Sequence, residues 1–536
     1  MLDLTITQTL FTGPSTAVGP YVLPVASGVT TTSMLPVPET VNGYKMVGIP
    51  DGLGAFDNND GTFTLLMNQE LGNTVGSVRA HGAKGSFVSK WIINKSDLSI
   101  VSGSDLMTSV YGWNSTTQSL NTTTSTIAFN RFCSADLSPV SAYYNPASGK
   151  GTQARIFMHG EEGGATGYQL ATVASGADSG KAYILGKFNI STNGSGLTGV
   201  GAWENALANP FPQDKTIVIG NNDGGTGIMA NSVCVYQGTK TNTGTAVDKA
   251  GLTNGTLKFV NVTGNALEIP TANATTRATN ITSGTAFTLS ATTSTTFSRP
   301  EDGAWDPSDA SKYYFVTTDR VDQVADGIGT QIGRSRLWRL NFADITNPDL
   351  GGTIDMLLDG TEGQVMMDNI GFDNYGHLLL LEDVGGAPRN GKVWQYTIAT
   401  DQIKLLAKHD PAKFGDIVNG VVQGATLPYT NDEETSGIID MSDILGAGNF
   451  LLVDQAHYNV GDAEAVEGGQ LLKLYNPDTF TAAQCATTSS ETQTACDSYT
   501  WNGRTFTQSG TYTFTSTNQA GCFHTATLNL TITPSS

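Results

Sequence analysis

Residues Gly371–Asp383 read GFDNYGHLLLLED, so a polar turn leads into an apolar strand that ends in two acids. The same order recurs in Ala55–Glu70 (AFDNNDGTFTLLMNQE), Ala304–Asp319 and Ile438–Asp454. Turn residues that bound short apolar runs predict β-strands. Short antiparallel sheets that share one pattern are typical of a β-propeller, where equivalent strand ends converge on a central channel. The chain is therefore predicted to be all-β, with a propeller whose acids meet at its centre.

The composition fits one large β architecture with an appendage. The chain has 536 residues, of which 39% are hydrophobic and 62 are glycine, enough for a sizeable core. Its formal net charge is −20, from 48 acids against 28 bases. Because nucleic acid requires a basic surface, we expect no nucleic-acid partner. Long helical patterns are hard to find, which also favours strands.

The chain lacks a run of 18 apolar residues, so no membrane span is expected. Residues Met1–Thr5 also lack the basic and apolar regions of a signal peptide. Either the protein is not exported, or the chain is a mature form with an added methionine. The C-terminal segment favours the second interpretation. We expect a monomer that is secreted or at the cell surface, with a periplasmic location as the alternative.

Two segments depart from the repeated pattern. Residues 239–296 are rich in Asn and Thr and poor in aromatic residues, so they predict a long insertion between two blades of a main domain at 1–480. Residues 485–536 alternate Thr with apolar residues, which predicts a small β-sandwich-like domain. Cys496 and Cys522 flank part of it and could pair. This segment resembles the Ig-like repeats of secreted and surface proteins of the Bacteroidetes group, whole or truncated, which implies export and surface attachment but no chemistry.

The run Phe297–Asp306 (FSRPEDGAWD) carries the strongest chemical signal. Arg299 offers a planar fork that fits phosphate or carboxylate oxygens. Glu301 and Asp302 offer hard oxygen ligands for a metal ion. One short loop therefore holds both halves of a site for an anion on a metal. The alternative for an isolated run of this kind is a surface ion pair.

Further metal-ligand types stand at strand ends or beside glycines. They are Glu70, Cys133, Glu161, Glu162, Glu204 and Asp223. Carboxylates suit calcium, and a thiolate among carboxylates suits iron better. Like charges that gather without a cation repel, so a metal explains the clustering. Each run also has a simpler interpretation, since Cys133 could be a buried inert thiol and Gly-Glu-Glu-Gly a solvated turn. The motifs of serine nucleophiles and of nucleotide hydrolysis are missing from the sequence.

An ordered series of motifs resembles the PhoX-type alkaline phosphatases, over about residues 40 to 478. The series comprises Asn68-Gln69-Glu70, Phe132-Cys133, Gly160-Glu161-Glu162, Glu204, Gly220-Asn221-Asn222-Asp223, Arg299-Pro300-Glu301-Asp302, Asp368–Asp373 and Glu434–Gly437. The resemblance implies a six-bladed β-propeller that hydrolyses phosphate monoesters with an iron and calcium cluster. Carried over by position, Cys133 and Glu301 would ligate iron, and Arg299 would bind the phosphate of a small ester substrate. Glu70, Glu161, Glu162, Glu204, Asp223 and Asp302 would be further metal ligands.

The chain departs from that family in three places. Arg131–Asp136 reads RFCSAD where the family has NNCAGG, Asn68-Gln69-Glu70 replaces N-H-E, and Gly160-Glu161-Glu162 replaces C-E-E. A different metal set, action on diesters, or loss of activity therefore stay open. The alternatives to an exported phosphatase are a non-catalytic, calcium-stabilised binding propeller, or a lactonase-like or phytase-like calcium propeller.

Overall fold

The computed structural model describes residues 10–321, 333–477, 487–502, 504–517 and 523–534. Strands dominate these residues, and the helices are single turns, so the all-β prediction is confirmed. The α-helices described are α1 (Ala246–Lys249), α2 (Pro411–Phe414) and α3 (Ser442–Leu445). None of the helices in these ranges has the length and apolar character needed to cross a membrane.

The strands follow one another along the whole described chain. In chain order they are β1 Leu10–Thr12, β2 Val22–Pro24, β3 Thr30–Pro36, β4 Thr40–Val41, β5 Tyr44–Lys45, β6 Pro50–Asp57, β7 Thr62–Gln69, β8 Phe87–Asn94, β9 Ile100–Asp105, β10 Ser109–Asn114, β11 Ser119–Ser125, β12 Phe132–Asp136, β13 Tyr144–Asn145, β14 Lys150–Gly151, β15 Ile156–Glu161, β16 Gln169–Val173, β17 Lys181–Ile184, β18 Trp203–Ala208, β19 Lys215–Asn222, β20 Val233–Thr239, β21 Thr256–Val262, β22 Thr285–Ser290, β23 Pro300–Trp305, β24 Lys312–Thr317, β25 Arg336–Phe342, β26 Gly352–Leu358, β27 Met367–Phe372, β28 His377–Glu382, β29 Lys392–Thr397, β30 Gln402–His409, β31 Asp416–Val418, β32 Val421–Gln423, β33 Glu433–Asp440, β34 Asn449–Ala456, β35 Gln470–Tyr475, β36 Thr487–Cys496, β37 Tyr499–Trp501, β38 Arg504–Phe506, β39 Gly510–Thr517 and β40 Phe523–Thr533.

Most of the strands belong to five large sheets. Sheet I has the order β6-β7-β8-β9, and sheet II has the order β12-β15-β16-β17-β10-β11. Sheet III contains nine strands in the order β18-β19-β20-β21-β22-β26-β25-β24-β23. Its end strands, β18 and β23, contact each other, so this sheet nearly closes on itself. Sheet IV has the order β27-β28-β29-β30-β2, and sheet V has the order β33-β34-β35-β3-β1.

Six edge strands, here called the inner strands, meet at the centre of the molecule. They are β6, β12, β18, β23, β27 and β33, and each contacts the next, with β33 returning to β6. Strands from both ends of the main domain meet in two sheets, because β3 pairs antiparallel with β35 in sheet V and β2 pairs antiparallel with β30 in sheet IV. Closing a ring of contacts in this way leaves few exposed sheet edges.

Every inner strand contains a bulge where it pairs with the second strand of its sheet. In β6 the register jumps between Pro50 and Leu53, and in β23 it jumps between Pro300 and Gly303. The corresponding jumps occur in β12, β18, β27 and β33. A bulge leaves extra residues unpaired and turns their side chains out of the regular alternation. Equivalent residues of different sheets are therefore turned in the same way.

Apolar side chains fill the spaces between neighbouring sheets. Leu53, Leu65 and Val453 belong to a cluster formed by sheets I and V. Leu66, Val88 and Phe157 belong to one between sheets I and II, and Leu379 with Leu452 to one between sheets IV and V. Burying one such side chain contributes roughly 1.5–3 kcal/mol, so these layers hold the inner strands in register.

The two atypical segments of the sequence take different forms. In residues 239–296, β21 and β22 extend sheet III, and β22 pairs with β26 to join its two halves. In the C-terminal segment, β36, β40 and β39 form a three-stranded sheet beside the hairpin of β37 and β38. Cys496 is exposed, whereas Cys485 and Cys522 lie outside the described residues, so the expected pairing stays a prediction.

Gly437, in the bulge of β33, is expected to tolerate no side chain. Its φ is +57°, and a Cβ there would lie 2.7 Å from the backbone oxygen of Asp51. Changing Gly437 to Ala should lower the free energy of unfolding by about 2 kcal/mol, because strain and a backbone clash add together. Urea denaturation measures this change. Gly424→Ala is the control, since nothing lies within 4 Å of its Cβ position; equal stability of both variants would contradict the account.

Candidate metal centre

The bulges of the inner strands place acidic side chains side by side. The first unpaired residue of the bulge is Asp51 in β6, Cys133 in β12, Glu204 in β18, Glu301 in β23 and Asp368 in β27. All five are buried. The sixth bulge, in β33, begins with Gly437, which adds no ligand. Five neighbouring strands thus supply four carboxylates and one thiol to one place.

These side chains form two groups with the spacing of metal ligands. In the first group, ligand atoms of Asp51, Glu70 and Cys133 all lie within 4.8 Å of one another. In the second, oxygens of Glu204, Glu301 and Asp368 do the same. We call these six residues together the acidic basin. The two groups lie near each other, because the backbone N–H of Ser134, the residue after Cys133, donates to Glu204 at 3.4 Å.

A polar layer orients the first bulge residues; it is formed by the residues that follow them in β12, β18, β23 and β27, namely Ser134, Asn205, Asp302 and Asn369. The side-chain amide of Asn205 donates to Asp302 at 2.5 Å and to the hydroxyl of Ser134 at 3.2 Å. The backbone N–H of Ile370 donates to the other oxygen of Asp302 at 3.3 Å. Asn369 accepts from the backbone N–H of Gly437 at 2.7 Å. These bonds connect β12, β18, β23, β27 and β33, so they fix the inner strands relative to one another.

The side-chain amide of Gln455 marks a point where three carboxylates converge. The side-chain nitrogen of Gln455 donates to Asp51 at 3.2 Å, to Glu70 at 3.0 Å and to Glu434 at 3.3 Å. One amide has only two N–H donors, so it cannot satisfy three carboxylates fully. The oxygens of three acids thus face one point, as they do around a cation.

Two arginines stand at the rim of the basin in equivalent positions. Arg131 and Arg299 each lie two residues before the first bulge residue, and their φ angles are +53° and +59°. Ile49 and Met366 hold the same position in β6 and β27 and share this left-handed backbone, with φ of +52° and +43°. A left-handed φ is costly for a large side chain, and such strain concentrates at functional sites.

Each arginine bridges two carboxylates. Nη2 of Arg131 lies 2.6 Å from Glu70 and 2.6 Å from Glu162. Nη2 of Arg299 lies 2.8 Å from Asp223 and 3.0 Å from Glu301. The side chains of Arg131 and Arg299 are 51% and 38% exposed, so both arginines reach solvent as well as the basin.

Burial and mutual repulsion dominate the electrostatics of the basin. Burial, followed by the charge of Glu70, raises the pKa of Asp51 well above its usual range. Burial likewise raises the pKa of Glu204, with Asp368 as the next cause, and that of Glu301, with Asp223 as the next. For Cys133, burial and then the charge of Glu162 raise the pKa of the thiol. Two arginines therefore do not neutralise this set of acids.

The donor atoms fit metal ions of two kinds. The group of Glu204, Glu301 and Asp368 offers oxygen only, which suits a hard cation such as calcium. The group of Asp51, Glu70 and Cys133 adds a thiol, which suits a transition metal such as iron. A cation in either place would remove the repulsion and lower the raised pKa values. The residues present therefore fit the metals that the resemblance implies.

A second cavity lies at the opposite ends of the inner strands. It has a volume of about 810 Å³, and Ser134, Asn205 and Asp302 line it together with Trp305 and Phe372. The four carboxylates and the thiol that begin the bulges of five inner strands are not among its lining residues. The polar layer thus separates this cavity from the acidic basin.

The structure brings together most of the residues expected from the sequence. Glu70, Cys133, Glu204 and Glu301 belong to the basin, and Glu162, Asp223 and Arg299 stand at its rim. Cys133 and Glu301, which the resemblance assigns to iron together, lie in different groups of three.

Two expected ligands point elsewhere. Glu161 accepts from the backbone N–H of Asn130, the hydroxyl of Thr166 and the backbone N–H of Tyr168, so it holds its own loop rather than joining either group. Asp302 belongs to the polar layer beneath the basin, where Asn205 and backbone amides satisfy its oxygens.

The sequence interpretation left out several members of the site. Asp51 was not identified, and Asp368, Glu434 and Arg131 were quoted within motifs without a role. A signal for Asp51 was present, because Pro50-Asp51 repeats the proline and acid of Pro300-Glu301 at the start of a strand. Arg131 had no comparable signal, since its equivalence to Arg299 follows from the backbone conformation.

Comparisons with known proteins add little to this geometry. No family model matches the chain, and no curated protein matches it. Solved structures with some likeness include a polysaccharide lyase of family PL25, an ulvan lyase, with 11% identity, 80% coverage of both chains and a TM-score of 0.31. Prolyl endopeptidases show 8% identity over 83% of this chain and 49% of theirs, with a TM-score of 0.27. An exo-β-1,3-galactanase from Clostridium thermocellum shows 10% identity over 80% of this chain and 81% of its own, with a TM-score of 0.23. At these TM-scores the likenesses bear on neither the fold nor the activity of the chain.

The metal-free protein is expected to lose stability as the pH rises. The pKa of Glu162 is raised from 4.5 to about 7, chiefly by burial, so the folded protein binds more protons than the unfolded chain between those values. Stability is therefore highest below pH 4.5 for this group and falls as the pH rises towards 7. The raised pKa values of Asp51, Glu204 and Glu301 act in the same direction.

Urea denaturation of chelator-treated protein at acidic and mildly alkaline pH measures this effect. Adding calcium should restore the stability lost at the higher pH, and Glu204→Gln should weaken the pH dependence of the metal-free protein. Metal-free protein that is as stable at the higher pH as at the lower would contradict the account.

Proposed function

We propose that the protein is a metal-dependent phosphatase that hydrolyses phosphate monoesters. The observation that carries this proposal is the acidic basin with Arg299 at its rim, because it combines ligands for cations with a donor for an anion. A phosphate ester needs both, since its oxygens carry negative charge in the ground state and in the transition state. The motif resemblance to PhoX-type alkaline phosphatases supports the same reaction.

We further propose that the fold is a six-bladed propeller. The cyclic contacts of the six inner strands support this reading. The nine-stranded sheet would then be two blades joined at their outer edges through β22 and β26. Acids from different blades would meet at the centre, because equivalent positions of the blades surround one channel.

Asp51, Glu70 and Cys133 would hold iron, and Glu204, Glu301 and Asp368 would hold calcium. Bound metal ions would supply Lewis-acid polarisation of a phosphoryl oxygen. The polar layer around Asn205 and Asp302 would keep these ligands in place, since hydrogen bonds tie the bulges of β12, β18, β23 and β27 to one another. Holding ligands rigidly before the reaction is a large part of electrostatic catalysis.

Arg299 would bind the phosphate through its guanidinium. Asp223 takes up Nε and Nη2 on one side, at 3.0 and 2.8 Å, and thereby sets the orientation of the plane. The half-exposed side chain leaves other N–H donors for a substrate oxygen. Arg131, in the equivalent position of sheet II, would offer a second cation to the same anion.

Hydrolysis of p-nitrophenyl phosphate by the natively purified protein tests the proposal. We expect turnover that a chelator abolishes and that iron with calcium restores. Bis-p-nitrophenyl phosphate, assayed in parallel, distinguishes a monoesterase from a diesterase. Failure of the fully metallated protein to hydrolyse any phosphoester would refute the phosphatase and favour a calcium-stabilised binding protein.

Changing Arg299 to Lys should reduce kcat/KM for p-nitrophenyl phosphate by about 100-fold. Lysine keeps the charge beside Asp223 and Glu301 but lacks the planar fork, so it loses the paired donors to phosphate. Metal content, measured by elemental analysis, should stay at the wild-type level. Arg155→Lys is the matched control, because Arg155 lines the second cavity. An unchanged kcat/KM for the Arg299 variant would exclude Arg299 as the phosphate-binding residue.

A further inference from the structure

We infer that Glu268 and Arg277, both in the 239–296 insertion, are positioning residues that hold Arg299 over the acidic basin. The inference rests on the proposed function, since it gives the insertion a task at the same site. Ser298, directly before Arg299, is the point where the insertion meets the site. The backbone N–H of Ser298 donates to Glu268, and its hydroxyl accepts from Arg277. The insertion therefore bonds both the backbone and the side chain of Ser298.

Glu268 holds the backbone of Ser298. Its carboxylate is fully buried and accepts from the Ser298 N–H at 2.8 Å. The other oxygen accepts from the hydroxyl of Thr317 at 3.2 Å and from Arg336 at 2.9 Å. An ion pair buried this deeply is costly to break, because removing one partner leaves an uncompensated charge. The Ser298 backbone is thus attached to a rigid group.

Arg277 holds the side chain of Ser298. Its Nη2 donates to the Ser298 hydroxyl at 2.9 Å, while its Nε donates to Asp319 at 3.1 Å. The same hydroxyl donates to Asp319 at 3.0 Å. Arg277, Ser298 and Asp319 therefore form a closed set of charge-assisted hydrogen bonds, which are stronger than neutral ones.

The two parts of the network are also connected to each other. Nη2 of Arg336, which pairs with Glu268, donates to the backbone oxygen of Arg277 at 2.5 Å. Backbone bonds then carry the support to the arginine itself: Asp319 N–H donates to Ser298, and Thr318 N–H donates to Arg299, both at 2.9 Å. The insertion thus encloses the residue next to Arg299 from two sides.

Arg299 needs such support because of its backbone conformation. Its φ of +59° lies in the left-handed region, which is costly for a residue with a side chain. Strained residues persist where the surrounding structure determines their conformation. Without the bonds from Glu268 and Arg277, Ser298 and Arg299 would be free to adopt a relaxed backbone. The guanidinium would then leave its place between Asp223 and Glu301.

The test compares Ser298→Ala and Arg277→Lys with a matched control from the same insertion. Ser298→Ala removes the hydroxyl but keeps the Arg277–Asp319 ion pair. Arg277→Lys keeps the positive charge but lacks the guanidinium that bonds to Ser298 and Asp319 together. Lys258→Met is the control, since Lys258 pairs with the partly exposed Asp349 at 2.7 Å and its bond does not reach Ser298. Calorimetry with inorganic phosphate and metal-loaded protein measures the anion affinity directly, without turnover.

We expect phosphate to bind about tenfold more weakly to both test variants, and as in the wild type to Lys258→Met. Metal content and the thermal unfolding midpoint should match those of the control. In the Arg299→Lys background, Ser298→Ala should have no further effect on phosphate affinity, because it acts through Arg299. A purely structural role would lower the unfolding midpoint and would persist in that background.

The outcomes separate this inference from the proposed function. Wild-type protein that binds phosphate but turns over no ester would refute the phosphatase only, and the binding comparison would still decide the inference. Test variants that bind phosphate as Lys258→Met does would overturn the inference only. Wild-type protein that binds no phosphate would overturn both.

Discussion

Buried carboxylates that face one another repel, and this repulsion is the constraint on which the centre of the molecule depends. Glu204, Glu301 and Asp368 are buried and have oxygens within 4.8 Å of one another. Two unit charges at 4 Å repel by about 4 kcal/mol at an effective dielectric constant of 20. Arg299 pairs with Asp223 and Glu301 at the rim, yet burial still raises the pKa values of Glu204, Glu301 and Asp368. Protons or metal ions must balance the rest, and for that reason a metal centre is proposed.

The backbone brings the acids together despite their repulsion. The bulge in each inner strand turns one side chain out of the sheet, and apolar layers between the sheets hold the strands in register. Burying those apolar layers is favourable, whereas burying acids beside one another is not. The stability of the sheets thus supports a centre that is unfavourable by itself. Close packing of the bulges also constrains Gly437, because this residue lies too near Asp51 to carry a side chain.

The sequence predicts the composition of the centre better than its geometry. Turns and apolar runs predicted an all-β chain, because strands follow from local patterns. The motif series of the family resemblance brought Cys133, Glu204 and Glu301 into one predicted site. The repeated pattern predicted that its strand-end acids meet, but of these Glu70 joins the basin, whereas Asp319 pairs with Arg277 and Asp454 with His409. The separate roles of neighbouring acids could not be predicted. Glu301 and Asp302 are adjacent in sequence, but the bulge turns the first to the basin and the second to the polar layer. Glu161 and Glu162 differ in the same way, since only contacts distant in sequence decide which one faces Arg131. The left-handed backbone of Arg131 and the contacts of Glu268 with Ser298 are likewise products of tertiary packing.

Anomalous X-ray diffraction from crystals of the natively purified protein tests the central claim most directly. Data collected above and below the iron edge should show iron beside Asp51, Glu70 and Cys133. A further peak, with the anomalous signal of calcium, should lie among Glu204, Glu301 and Asp368. Electron density with both groups free of metal, and with their carboxylates bonded only to protein or water, would contradict the account.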